Sequence, residues 1–370
     1  MMDETTTSPV ESLKRRLAEQ GPISVADYMA WCLTEGNAAY YRSGNPLGAS
    51  GDFVTAPEVS QIFGELIAMW SATVWRNMGA PMPFILAELG PGRGTLMQDA
   101  LRAARSVPNF LEAAEVHLVE TSETLKETQA EVLAPYCQPH WHHGFDSVPD
   151  GPLIVIANEF FDALPVEQHI YDDGGWHRRM VALNGSGGPS FVVGRLAVPP
   201  AELLPSSPPH DGDILEHRPA AASLIGEFGR RAKSASIAVL IADYGYERRD
   251  YGDTLQAIRN HGYADPLESP GETDLSAHVN FAELAHFAEI AELDVWGPLS
   301  QSEFLLSIGL EQRLRQLMSS ANAEQQSALF LGARRLVDPY QMGSLFKVMA
   351  LTSHDLGPPP PFSRSIALQG

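Results

Sequence analysis

Apolar residues recur at two different intervals along this chain, and the change of interval divides it. Leu13 to Glu19 and Val25 to Leu33 place apolar side chains three and four residues apart, which predicts two helices at the front. Gly36 to Gly51, rich in Gly, Asn and Ser around Tyr40, Tyr41 and Pro46, reads as a loop. Thr55-Ala56-Pro57-Glu58 then has the form of a capping box with an early proline, in which Thr hydroxyl and Glu carboxylate satisfy free amides at a helix start. Ile62, Phe63, Leu66, Ile67, Trp70, Val74 and Trp75 share one face, so a long buried helix is expected.

From residue 84 short apolar runs alternate with helical stretches, the signature of a parallel sheet covered on both faces. Strands are expected at Phe84–Leu89, Val116–Glu120, Leu153–Asn158 and Ile237–Asp243, with a weaker one at His140–His143. A hairpin is expected between His169–Tyr171 and Arg178–Leu183 across Asp172-Asp173-Gly174-Gly175, followed by a Pro/Ser/Gly-rich stretch from Gly185 to Pro209. Leu255 to Gly271 is turn-rich, Phe304–Met318 reads as one helix, and Ser344–Thr352 as a closing strand. The expected organisation is an α/β core over 76–370, with insertions at about 165–235 and 245–300 forming a second, smaller subdomain, behind a helical or lid region over 1–75.

The 370 residues carry 46 acidic and 25 basic side chains, a formal charge of −21, and are 44% apolar. That apolar content suffices for a substantial core and excludes a mainly disordered chain. The negative field opposes contact with phosphate backbones, so nucleic acid is not an expected partner. No run is long enough for a membrane span. Cys32 and Cys137 form neither a metal-ligand spacing nor a disulfide framework, and Met1 to Glu11 holds three acids and no transit-peptide arginines. The expectation is a soluble bacterial cytosolic protein.

Chemistry concentrates after the strands. Glu88-Leu89-Gly90-Pro91-Gly92-Arg93-Gly94-Thr95 follows one strand and opens a helix, Thr95 to Ala104. Its glycines allow a sharp turn and close approach of a ligand to backbone amides. The spacing is E-x-G-x-G-x-G, not the G-x-G-x-x-G of dinucleotide sites. An acid at the strand end suits a ligand carrying an ammonium and a sulfonium, as S-adenosylmethionine does. Glu120, ending the second strand, is placed to accept ribose hydroxyls, and Thr121 or Ser122 to cap the next helix. Asp146, after Gly144 and Phe145, is a candidate acceptor for an adenine amine; the plainer reading is a surface turn with Phe145 in the core. His140, His142 and His143 lack further ligands at usable spacing, so no metal is expected. Asn158-Glu159-Phe160-Phe161-Asp162 begins where a parallel sheet opens its crevice, and its carboxylates can hold a cationic nitrogen in line with a methyl donor. The plainer reading is a helix capped by Asn158 with the two phenylalanines in the core. There is no Gly-Lys phosphate loop and no G-x-S-x-G elbow, which removes kinase and serine-hydrolase readings.

Gly51-Asp52-Phe53-Val54-Thr55-Ala56-Pro57-Glu58-Val59-Ser60-Gln61-Ile62-Phe63-Gly64-Glu65, the Glu88–Thr95 turn, Asn158–Pro165 and Met342-Gly343-Ser344-Leu345-Phe346-Lys347 resemble the mitochondrial complex I assembly arginine methyltransferase family and its bacterial relatives. The resemblance runs from about Ile23 to Met349. It implies a Rossmann-like class I methyltransferase fold, S-adenosylmethionine as donor, and a protein acceptor such as the iron–sulfur subunit of complex I. It also implies that Glu88 meets the donor's ammonium, that Gly90, Gly92 and Gly94 line its methionine end, and that Glu120 and Asp146 meet ribose and adenine. Gly51, Asp52, Phe53, Thr55 and Glu58 would form a lid, and Glu159, Asp162 and Asn158 the acceptor side. The rivals are a methyltransferase acting on small molecules and a non-catalytic donor-binding assembly factor. A dehydrogenase is the outsider.

Overall fold

A computed structural model describes residues 8–35, 55–259 and 262–363. Helix α1 (Pro9–Gln20), capped by Ser8 and stopped at Gly21, precedes the two-residue strand β1 (Ile23–Ser24). A Ser24–Asp27 capping box starts α2 (Val25–Ala30), which widens through Trp31–Glu35. After α3 (Ala56–Val59) comes the long helix α4 (Gln61–Asn77), capped by Ser60, with the predicted face buried.

The alternating region follows: β2 (Phe84–Leu89), α5 (Thr95–Ala104), α6 (Phe110–Ala113), β3 (Ala114–Val119), α7 (Glu123–Leu133), β4 (His140–His142) and β5 (Leu153–Asn158). The first insertion supplies β6 (Glu167–Asp172), β7 (Gly175–Leu183), β8 (Pro189–Leu196) and β9 (Ile214–His217) before α8 (Pro219–Ala232) and β10 (Ile237–Tyr246). The second supplies β11 (Gln256–Arg259), β12 (Gly262–Ala264), β13 (Asp274–Ser276) and β14 (Val279–Asn280). The chain closes with α9 (Phe281–Ile290), β15 (Asp294–Ser300), α10 (Gln301–Ser307), α11 (Leu310–Ser319), α12 (Ala323–Val337), α13 (Met342–Leu345) and β16 (Phe346–Thr352).

The main sheet runs β15-β16-β10-β5-β2-β3-β4, with β14 beside the end of β10. The five strands from β4 to β10 are parallel, as expected, and the closing strand β16 and its neighbour β15 join them antiparallel, so the sheet is mixed. Alternate residues of each inner strand enter two cores. Leu86, Ile154, Ile156 and Leu240 meet α4 and α5, while Ile85, Val155, Val239 and Ile241 meet α8 and α9.

The insertions build the smaller subdomain: a sheet β1-β7-β6-β9 with β8 on β7, and a three-stranded sheet β12-β11-β13. A third core joins Leu13, Leu17, Tyr28 and Met29 of the first two helices to Val166, just before β6, and to Val181, Ala257 and Leu275 of these sheets. Strand β8 lies inside the stretch read as Pro/Ser/Gly-rich; none of it is fully buried, and its short apolar run, Phe191-Val192-Val193, is hidden between a proline and a glycine. The helix expected over Phe304–Met318 is two helices, because Gly309 adopts φ 105 between them.

Candidate functional site

Glu88 is the fifth residue of β2, 3% exposed, and the strand ends one residue later. Beyond it Gly90, Gly92 and Gly94 take φ of 61, 53 and 83, a run of left-handed backbone that L side chains disfavour. A Cβ at Gly90 would also lie 3.0 Å from the Phe160 ring. The turn ends at the start of α5, whose first amides face the space above it.

Opposite lies Glu120, directly after β3. Its Oε1 accepts from the amides of Thr121 and Ser122, each at 2.8 Å, and its Oε2 from Gln129 Nε2 at 3.2 Å. Ser122 also caps α7, as expected. Gln129, fully buried in α7, is the residue that sequence reasoning missed. Its amide donates to Gly92 O at 2.7 Å as well as to Glu120, and its Oε1 accepts from Trp141 Nε1 at 2.8 Å, so one side chain ties the glycine turn to the second strand's acid and to β4. Only the unusual placement of a Gln on the buried face of a helix signals it.

After β4, His143, Gly144 and Phe145 border the same space. Phe145 is 6% exposed, edge-on to Phe228 with the Arg231 guanidinium 4.5 Å over its ring, which is the plainer reading of that residue. Asp146 is exposed and is not among the residues bordering the cavity; its carboxylate folds back beside Gly144, 2.5 Å from where a Cβ would stand. His117 Nδ1 and His142 Nε2 share a hydrogen bond of 2.8 Å within a stack of imidazoles. Among the described residues no group of His, Cys, Asp and Glu has the geometry to hold a metal.

Glu159 follows β5 with φ 49, and no helix follows Asn158, which corrects the capping reading. Of the two phenylalanines, Phe161 is in the core and Phe160 is half-buried against the glycine turn. Glu159 Oε1 accepts from the Ala56 amide at 2.8 Å and from Asn158 Nδ2 at 3.2 Å. Asp162 is buried but not on the cavity wall, so Glu159 and Asp162 do not face the space as a pair. The Asp162 carboxyl points instead toward the Tyr244 hydroxyl and the Arg218 charge.

The segment before α4 closes the remaining side. The expected capping box is not formed. Thr55 makes no side-chain cap bond, its backbone oxygen accepts the Glu58 amide at 2.9 Å, and Glu58 Oε1 accepts from Thr95 Oγ1 at 2.6 Å. Glu58 is drawn to Thr95 at the end of the glycine turn, and the neighbouring Ala56 amide is taken by Glu159. Gly51, Asp52 and Phe53 lie outside the described residues.

Together these elements enclose a cavity of about 480 Å³, bordered by Ala30, Leu33 and Thr34 of the front helix, Thr55 to Glu58, the glycine turn, Glu120, Phe145, Asn158 and Glu159. Four of its border residues are glutamates: Glu58, Glu88, Glu120 and Glu159. Glu88 Oε2, Glu159 Oε2 and Asn158 Oδ1 are buried with no hydrogen-bond partner. Burial pushes the Glu88 carboxyl up to about 8. Glu159 is likewise pushed to about 8, by burial first and by the nearby Asp162 carboxyl, against the pull of the Ala56 amide. Burial also raises Glu120, though its amide partners and Gln129 oppose the shift. Unpartnered buried acceptors of this kind are costly and call for donors from a ligand. Acids that cannot ionise cheaply until a cation arrives are a receptor for ammonium, sulfonium or guanidinium groups.

Comparison with known proteins agrees with this chemistry. The profile of a family of S-adenosyl-L-methionine-dependent methyltransferases matches residues 66–299. The mitochondrial protein arginine methyltransferase NDUFAF7 homolog of Drosophila melanogaster is 36% identical, over 93% of this chain and 84% of its own. The human mitochondrial protein arginine methyltransferase NDUFAF7 is 34% identical, over 95% and 86%. A Burkholderia thailandensis protein solved bound to S-adenosyl-homocysteine superposes with a TM-score of 0.83 at 26% identity, covering 96% of this chain and 95% of that one. The mitochondrial relatives overturn the expectation of a bacterial cytosolic protein. Net charge and cysteine count describe a surface and a redox habit, which several compartments share, and so do not fix an address.

Proposed function

The chain belongs to the family of S-adenosyl-L-methionine-dependent methyltransferases, and from that premise we propose that it methylates arginine side-chain nitrogens of a protein substrate. The observation that carries the reading is the set of orphaned buried acceptors, Glu88 Oε2 on one side of the cavity and Glu159 Oε2 with Asn158 Oδ1 on the other. Two cationic ligands would satisfy them.

On the donor side, Glu88 would take the ammonium, the turn of Gly90, Gly92 and Gly94 would offer amides to the carboxylate end, and Glu120 would accept from ribose hydroxyls. The adenine would lie toward His143, Gly144 and Phe145, and Asp146, off the cavity border, would meet it only by turning away from Gly144. When bound, the donor supplies an electrophilic methyl carbon on a sulfonium. On the acceptor side, a guanidinium keeps its charge at any ordinary pH and presents a planar fork of N–H donors. Glu159 Oε2 and Asn158 Oδ1 accept from that fork, hold it in line, and stabilise charge that gathers on one nitrogen. The Glu159 carboxyl, held up by burial while the site is empty, would be ionised once a guanidinium lies against it and could then take the proton that the nitrogen sheds. Glu58, fastened to Thr95, and Thr55 at the start of the same turn would keep water out of the seam between the two sides. A respiratory complex I subunit, the acceptor class that the sequence resemblance implies, is the first acceptor to try.

The test is transfer of labelled methyl from S-adenosylmethionine to proteins of a mitochondrial extract, with mass spectrometry of the modified side chain. Label on arginine is the expected result; label confined to small metabolites would refute the reading. Glu159→Gln removes the proton acceptor and keeps the shape. It is expected to leave donor affinity within about three-fold and to lower turnover by at least about 10²-fold, in the range that general-base removal costs. Equal loss of both would make Glu159 a donor-binding or structural residue.

A further inference from the structure

Glu159 holds a left-handed backbone, φ 49, which a residue other than glycine adopts only at a cost. The segment that carries it, 159–162, belongs to no helix or strand, so no regular ladder pays that cost. All four of its amides are nevertheless bound, and all to the neighbouring strand β10. Glu159 N–H donates to Ala242 O at 2.8 Å. The amides of Phe160, Phe161 and Asp162 donate to a single oxygen, Asp243 Oδ2, at 3.2, 2.9 and 3.2 Å. Asp243 Oδ1 accepts the Tyr244 amide at 3.0 Å. Asp243 has no exposed surface and does not border the cavity. Gly245, two residues on, has Val279 O only 1.9 Å from where a Cβ would stand, so the end of β10 is itself wedged in place by β14.

We propose that Asp243 is the positioning residue of the acceptor site: one carboxylate oxygen gathers three successive amides and so fixes the turn on which Glu159 is presented to the cavity. The inference rests on the reading of Glu159 as the acceptor-side group. A carboxylate is required because two oxygens must accept four amides; an asparagine offers one oxygen and turns its NH₂ against either Tyr244 N–H or the loop. Apart from the Tyr244 amide of its own strand, the amides bound to Asp243 are those of 160–162, so its loss should reach turnover through Glu159 and leave the glycine turn, on β2, undisturbed.

The experiment compares Asp243→Asn, Glu159→Gln and the double variant in the labelled-methyl assay, with donor affinity measured by calorimetry. Asp243→Asn is expected to lower kcat by at least about ten-fold with the donor Kd within about three-fold, and the double variant to be no slower than Glu159→Gln alone. Multiplication of the two losses, or equal loss of donor affinity and turnover in Asp243→Asn, overturns the proposal. Should Asp243→Asn not fold, hydrogen exchange of the unsubstituted protein decides: the Phe160, Phe161 and Asp162 amides are expected to exchange within ten-fold of Ile154 to Ala157 in β5, and loop-like exchange overturns it. If label appears on a protein group other than arginine, the arginine reading fails while the non-additivity is still measured.

Discussion

Glu88 shows how much one residue's environment adds to its identity. An acid at a strand end beside three glycines is visible in the sequence, and so is the cation it suits. That its buried Oε2 has no hydrogen-bond partner, and that burial alone lifts its carboxyl to about 8, is a property of the packed strand. The sign of the resulting pH dependence follows. In the ligand-free protein at pH 7 the group is mostly protonated, a bound ammonium favours its ionised form, and binding therefore expels a proton. Donor affinity is expected to rise with pH between 6 and 8, by at most about ten-fold per unit for one group, until the donor's own amine begins to lose its charge near 8. Calorimetry at pH 7 in two buffers of different ionisation enthalpy should show proton release, and Glu88→Gln should abolish it together with much of the affinity. Binding without proton release would mean that Glu88 does not meet the ammonium. The same limit applied to Asp162. A second acid in the loop after β5 was legible, but which acid faces the cavity depends on a turn whose shape is set by Asp243, 81 residues further on.

At the scale of elements, the inner strands and the helix after the glycine turn were legible to within a few residues, because their apolar runs and caps are local. Elements determined by contacts between distant segments were not. β16 was expected as a strand but not its antiparallel direction, β15 was not expected, β8 pairs with β7 along one side, and the cap of α3 gives way to a bond from Thr95 to Glu58 and one from the Ala56 amide to Glu159. Helix α3 illustrates the consequence. It is four residues long, too short to hold itself, and α12 presses on it so closely that a Cβ at Gly332 would stand 2.7 Å from Val59 O. Gly332→Ala must displace backbone and not a flexible side chain, at a cost of about 1–3 kcal/mol. Because α3 carries Glu58 and the Ala56 amide, turnover should fall as well. Gly226, inside α8 with nothing within 4 Å, is the control: alanine there is expected to stabilise by up to about 1 kcal/mol and to leave turnover unchanged. Chemical denaturation of the two variants, with turnover measured on each, checks both signs; equal effects would mean that the α12–α3 contact is not tight.

The whole molecule adds a field to the site. Its formal charge of −21 surrounds a cavity that is itself bordered by four glutamates, with Arg93 the one arginine or lysine among its described border residues. The charge balance was readable from composition, and it argued only against phosphate and anionic surfaces. Its convergence with the cavity required the fold, since Glu58, Glu88, Glu120 and Glu159 come from four separate segments, brought together at the carboxyl ends of β2, β3 and β5. A field of one sign around a cleft raises the local concentration of an oppositely charged partner. A cationic arginine on a basic protein segment should therefore arrive faster than a neutral acceptor. Added salt shortens the Debye length from about 10 Å at 0.1 M towards 3 Å at 1 M, which removes steering by distant surface charges and leaves the buried contacts of Glu159 largely intact. KM for a basic protein acceptor is expected to rise several-fold between 0.05 and 0.3 M salt while kcat changes by less than two-fold. Steady-state rates at several salt concentrations measure both. A kcat that falls in step with kcat/KM would place the salt-sensitive charges at the reacting groups, and a KM that does not move would show that the acidic surface takes no part in bringing the acceptor in.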